Sequence, residues 1–385
     1  MTAWPIALVL IGIALAIAAI GVIARARSMA RAREDGERAA QATAAGPASA
    51  AEEPPAPARK PQAPPPPAYE EPRAQLYARL QSMHQLQVLA FGTAIGPAAV
   101  ASAHEETATA IRLTLASIAD RPNYAPRRPM LLPKLMQAMH DDEVSRRELA
   151  SIVGTDPALA GSLLRLANSP YYRIRPEPVE SLDRAIALLG LEGMRSLISA
   201  ALLQPVFRVS GGMFAQFAEV TWEHTLSAAA AAEAHAAVVE NSDPFAAQLL
   251  ALLMGLATII VFRVATDECL ARGLRPGPAM LAALIDTQAA SVARHIAASW
   301  ELSERIDTAL ADQSAGPGAL ASSLGRSLRV GRFIGALSLL YTRQVISEED
   351  VQTALKTGGA HAGAYERIWS RLRANNAHAA GDAAG

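Results

Sequence analysis

Between Thr155 and Phe207 the apolar residues fall into three stripes at helical spacing, each bounded by residues that start or stop a helix. The first stripe is Leu159, Leu163 and Leu166, backed by Ala160, Leu164 and Ala167. Asp156 supplies a side-chain acceptor ahead of it, and Pro157 follows where a missing N–H costs nothing. Asn168-Ser169-Pro170 ends the stripe, and Pro176 and Pro178 keep the next stretch non-helical. Ser181 is placed to cap a second helix, with Leu182, Ala185, Ile186 and Leu189 facing inward. Gly190 is expected to close that helix in a left-handed cap, with Leu191 as the apolar residue that follows. Met194, Leu197, Ile198, Ala201 and Leu202 make a third stripe, closed by Pro205. Short helices joined by short turns predict an all-α bundle.

Other stretches are patterned differently. Met1 to Ala24 carries no charged side chain, and Pro5 to Ala24 is about the length that crosses a bilayer. Arg25, Arg27, Arg31 and Arg33 follow at once. The positive charge comes after the apolar run, so residues 1–33 read as a transmembrane signal anchor with the rest of the chain in the cytoplasm. Residues 34–73 are rich in proline and alanine and read as an extended linker, either a spacer or a docking site for a proline-binding domain. Residues 74–125 read as a helical adaptor, with Leu76, Leu80, Met83 and Leu86 at helical steps and breaks at Gly92 and Gly96-Pro97. It would pack on the main domain at 126–345 or mediate self-association. A C-terminal helix and an unstructured tail are expected over 346–385. The run from Ala246 to Phe262 is almost uncharged and borderline for a span, but a span there would split the main domain, so it reads as buried core.

Composition narrows the classes. A net charge of -1 gives no overall pull toward nucleic acid. One cysteine, Cys269, excludes an internal disulfide framework and reads as an inert, partly buried thiol. Only 5% of residues are aromatic, so the core should consist of closely packed small-residue helices.

Three segments, PMLLPKLMQAMHDDEVSRRELASIVGTDPAL from Pro129, LLRLANSPYY from Leu163 and AIALLGLEGMRSL from Ala185, resemble HDOD domains, non-catalytic relatives of HD and HD-GYP phosphohydrolases. Ser145 and Glu148 lie at capping-box spacing in the first segment. The resemblance runs from near Arg128 to about Leu340 and implies an HD-like helical bundle. HD enzymes hold metal through a histidine, a later His-Asp pair and a further aspartate, a donor set suited to divalent ions that activate water. Trp222-Glu223-His224 resembles the helix of the first histidine, and Ala251 to Phe262 the helix of the His-Asp pair. Met254 and Gly255 then stand where the pair belongs, Ala289 where a further histidine is common, and Gln313-Ser314 at a paired-histidine end. The resemblance therefore implies no enzyme, no metal and no cofactor. It implies instead a bacterial signal-transduction or scaffolding protein of the inner membrane that acts on protein partners, with a nucleotide-binding sensor or a divergent metal-dependent phosphohydrolase as alternatives.

His140-Asp141-Asp142 is the one His-Asp doublet, but it precedes a capped helix and reads as a solvated acidic turn. His235 and His295 lie on alanine-rich helices without acidic companions at useful spacing. Arg173, Arg175, Arg184 and Arg195 are interspersed with carboxylates and make no nucleic-acid groove. The candidate ligand- or partner-binding residues are Arg165, Asn168, Tyr171, Tyr172, Trp222 and His224. Each has a structural reading as well: Asn168 as a helix end, the tyrosines as buried rings with wet hydroxyls, His224 as a hydrogen-bonded core residue.

Overall fold

The computed structural model describes residues 71–96, 102–118, 121, 123–124, 157–168, 179, 181–204, 214–314 and 322–382. Residues 1–33, read from sequence as an anchor, most of the segment read as a linker, His140-Asp141-Asp142, the Ser145/Glu148 pair, Tyr171 and Tyr172 lie outside them. Among the described residues every regular element is helical. In chain order these are α1 (Arg73–Phe91), α2 (Ser102–Ala116), α3 (Pro157–Ala167), α4 (Leu182–Leu203), α5 (Phe217–His235), α6 (Pro244–Ala271), α7 (Pro278–Ser299), α8 (Glu304–Ala311), α9 (Ser323–Thr342), α10 (Glu348–Lys356) and α11 (Ala362–Asp382).

Helix α6 is the axis of the bundle. Asp243 caps it, its carboxylate accepting from the Ala246 N–H at 3.1 Å, and Pro244 takes the first turn. Its apolar residues surround the whole helix rather than one stripe, the pattern of a helix packed on every side. It meets that expectation: 94% of its most apolar window is buried, against α5, α7, α9, α2 and α4. Gln248 is the polar exception, its amide donating to the Ser196 carbonyl of α4 at 2.8 Å. Cys269, near the end of α6, is fully buried rather than partly so, and burial pushes its thiol pKa up.

The most extensive helix pair is α5 with α9, and small residues make it. Gly331 and Gly335, one turn apart on α9, face Ala228 and Ala232 on α5. A β-carbon at Gly335 would lie 2.6 Å from the Ala228 nitrogen and 2.8 Å from its Cα. This is how so alanine-rich a chain packs densely with few aromatics. Those few are concentrated: Phe91 stacks on Phe217 at 5.0 Å and Phe217 on Phe262 at 4.1 Å, pinning α1, α5 and α6 together.

The segment read as an adaptor is therefore knitted into the bundle. Helix α1 ends at Gly92 in a left-handed cap and buries Leu86, Ala90 and Phe91, while α2 packs on α6 and α7. Helices α10 and α11 form a second apolar layer with α5 and α9, centred on Phe333, Tyr365 and Trp369. Two helices thus occupy 348–382, where one helix and an unstructured tail are expected from sequence.

The signature region forms largely as its caps dictate. Helix α3 starts at Pro157 and buries Leu159, Leu163 and Leu166. The Ser181 hydroxyl accepts from the Arg184 N–H at 3.2 Å, and Met194, Leu197, Ile198 and Ala201 are buried. Gly190 is a correction. Its φ of 72° is in the left-handed half, but ψ is -176°, so it is not a left-handed cap. It is a glycine-specific extended kink, and the two helical runs meet there without an intervening turn. The burial of Met194 and Leu197 holds the second run close behind the first.

Candidate functional site

Three of the positions singled out for metal chemistry do converge. His224 of α5 and Met254 and Gly255 of α6 line one pocket of about 580 Å³, including its open mouth. Asp286 of α7, Gln87 of α1 and Arg332 of α9 complete its polar wall.

Most of the polar groups there are already committed. The His224 Nε2 lies 3.0 Å from the main-chain carbonyl of Arg332, so Nε2 carries the proton and donates. Burial is the main cause that lowers the His224 pKa to about 4, with the carbonyl opposing the shift. The Thr225 and Thr258 hydroxyls donate to carbonyls one turn back on their own helices, at 2.7 Å and 2.9 Å. Asp286 stands at the exposed mouth, accepts from the Gln87 amide at 2.7 Å, and has its carboxyl pKa raised by desolvation. Burial lowers the Arg332 guanidinium to about 10, still a cation at neutral pH.

The donor set does not fit a hydrolytic metal site. Met254 offers a thioether, Gly255 offers nothing, and Arg332 is a fixed cation in the wall. Gly255 also has no room for a replacement. A β-carbon there would overlap the Thr225 hydroxyl and lie 2.6 Å from its methyl group. Among the described residues no three His, Cys, Asp or Glu side chains cluster as ligands.

The other candidates lie elsewhere. Asn168 does structural work: its amide donates to the Leu164 and Val179 carbonyls at 2.9 Å, and its oxygen accepts from the Val179 N–H at 2.7 Å. Arg165 is exposed and donates to the Ser162 hydroxyl at 2.8 Å. Trp222 is half-buried and packs against the main core. None of these three lines the His224 pocket. Gln313 donates to the Ala309 and Gly325 carbonyls, tying α8 to α9. His295 is bound to its own helix through the Ser291 carbonyl at 2.8 Å.

Sequence reasoning missed Arg332 and Asp286. A signal for the first exists: Arg326, Arg329 and Arg332 recur at three-residue steps in a helix that is otherwise apolar or small. Charges set into a buried helix require partners or a cavity.

His235 is the second buried histidine. Its Nδ1 lies 3.1 Å from the Ser327 hydroxyl, its ring centroid is 5.7 Å from that of Tyr365, and burial lowers its pKa to about 4. For both histidines the folded value lies below the unfolded 6.5. Between those values the unfolded chain binds more protons, so stability is full above pH 6.5 and falls as pH drops toward 4. The two together should account for on the order of a few kcal/mol. Thermal melting between pH 7 and 4.5 should show this loss, and His235→Gln should flatten the slope. An unchanged slope would mean that His235 titrates normally.

Residues 125–315 match the HDOD domain family, so the chain carries an HDOD domain, related to HD phosphohydrolases. No curated protein matches the chain. A crystal structure from Shewanella amazonensis SB2B, provisionally named a metal-dependent phosphohydrolase, is similar with a TM-score of 0.50 at 15% identity. The match covers 72% of this chain and 100% of that one, and it supports the shared fold. A Geobacter sulfurreducens HDOD domain protein with unknown function matches at 19% identity and a TM-score of 0.45, over 69% of this chain and 98% of its own.

Proposed function

We propose that this HDOD-bearing chain is a non-catalytic signal-transduction protein, anchored in the bacterial inner membrane and presenting its cytoplasmic helical bundle to protein partners as a scaffold. One observation carries the non-catalytic part: where the resemblance requires the aspartate of a His-Asp pair, Gly255 is packed so closely on Thr225 that even a β-carbon would overlap. The imidazole of His224 is likewise turned to the Arg332 carbonyl, neutral and buried. Anchoring is supported by the uncharged Pro5 to Ala24 stretch and the arginines after it. The proline-rich segment between anchor and bundle suits a spacer that holds the domain off the bilayer.

The test is turnover. Full-length protein in detergent micelles, supplied with manganese, is expected to leave bis(p-nitrophenyl) phosphate and cyclic dinucleotides intact. Hydrolysis that disappears in His224→Ala, with folding retained, would overturn the proposal.

A further inference from the structure

A second cleft shares Arg332 with the His224 pocket. Arg79, Leu76, Leu80 and Met83 of α1 form one side, and Arg329 and Arg332 of α9 the other. It encloses about 750 Å³, including an open mouth.

Its three guanidiniums are unequally held. Arg79 grips Glu71 with two parallel bonds, Nε to Oε1 and Nη2 to Oε2, each 3.0 Å. Arg329 reaches the same carboxylate at 3.4 Å and the Asp312 carbonyl at 3.1 Å. Among the described residues the Arg332 guanidinium forms no hydrogen bond or salt bridge, and Asp286 acts on it only through its field. Glu71 thus holds two of the guanidiniums directly, while the third, Arg332, has Asp286 only at a distance. The three also crowd one another: after burial, which lowers the proton affinity of Arg332, and the opposing field of Asp286, the charges of Arg79 and Arg329 lower it further. The facing wall is apolar and incompletely covered, with Leu80 51% exposed.

The geometry points to a binding site for a small phosphate ester with an apolar or aromatic body, of nucleotide size. A phosphate offers several acceptor oxygens to planar guanidinium forks, and Arg332 supplies a fork that bonds no acceptor among the described residues. The body of the ligand rests on Leu76, Leu80 and Met83, the mixture of apolar wall and few convergent polar groups typical of small-molecule sites. Glu71 is the internal anion that holds Arg79 and Arg329 when no ligand is present. It stands two residues before α1, so ligand and the chain entering the bundle compete for the same arginines. This site goes beyond the scaffolding role and stands whether or not that role is correct.

Calorimetric titration of full-length protein in detergent micelles with adenosine 5′-monophosphate, and separately with pyrophosphate, tests the site. Both should bind, more weakly as salt is raised. Arg332→Gln and Arg79→Gln should each weaken binding about tenfold or more. Glu71→Gln should strengthen it several-fold, a gain that a merely structural role for Glu71 would not produce. Thermal melts establish that each variant is folded, and Arg79, at the edge of the bundle, serves if Arg332→Gln does not fold. The site is refuted if neither probe binds wild type or Glu71→Gln. Undiminished binding in both arginine variants refutes it equally, and binding of pyrophosphate without the nucleotide refutes the apolar half.

Discussion

Valine at Gly335 is expected to destabilise the bundle by about 3 kcal/mol or more, because the new atoms have only main chain to push against. The nearest neighbours of a β-carbon there are the nitrogen and Cα of Ala228 and the carbonyl carbon of Ser227, at 2.6, 2.8 and 3.0 Å. Backbone cannot rotate away as a side chain can, so α5 and α9 would have to separate along their whole contact. For a domain of this size the melting temperature should fall by roughly 6 °C or more. Gly96→Ala is the control: nothing lies within 4 Å of a β-carbon there, and its effect should be near zero. Circular dichroism melts of the two variants decide the matter. If Gly335→Val melts with wild type, α5 and α9 do not pack as described.

Rebuilding the His-Asp pair should fail, and for a related reason. In Met254→His/Gly255→Asp the aspartate would have to displace the Thr225 side chain and would place a carboxylate in the apolar middle of α6. A loss of about 3 kcal/mol is expected from the packing clash and the poorly paired charge together. Thr225→Ala in the same background removes the two closest atoms and should recover part of that loss, a coupling that marks direct contact. Equal stability of the double variant and wild type would show that the pocket still accommodates an HD pair.

How much of this was legible in the sequence depends on the range of the interaction. Features set within a few residues were readable: Pro157 and Ser181 as helix starts, the Leu159/Leu163/Leu166 stripe, and the burial of α6 from its all-round apolar surface. Gly190 was half-readable, because the need for positive φ shows in the residue type while ψ is set by where Met194 and Leu197 must pack. The reading of His224 as a hydrogen-bonded core residue holds, but its partner was not readable, since it is a main-chain carbonyl 108 positions away. Nor was the arginine cleft, which exists only because α1 lies across α9 and brings Glu71 within reach of Arg329, 258 positions on. Of the candidate ligand residues, His224 lines a cavity, while Asn168 spends its amide on joining the end of α3 to Val179. At 163–168 the sequence signal was therefore one of architecture around Asn168, a half-buried amide whose three hydrogen bonds few other side chains could make.

The absence of hydrolytic chemistry is the claim on which the functional account turns, and metal content measures it most directly. Full-length protein purified without chelators, incubated with manganese and desalted, should carry far less than one metal per chain by inductively coupled plasma mass spectrometry. About one tightly held metal per chain, lost in a folded His224→Ala variant, would contradict it.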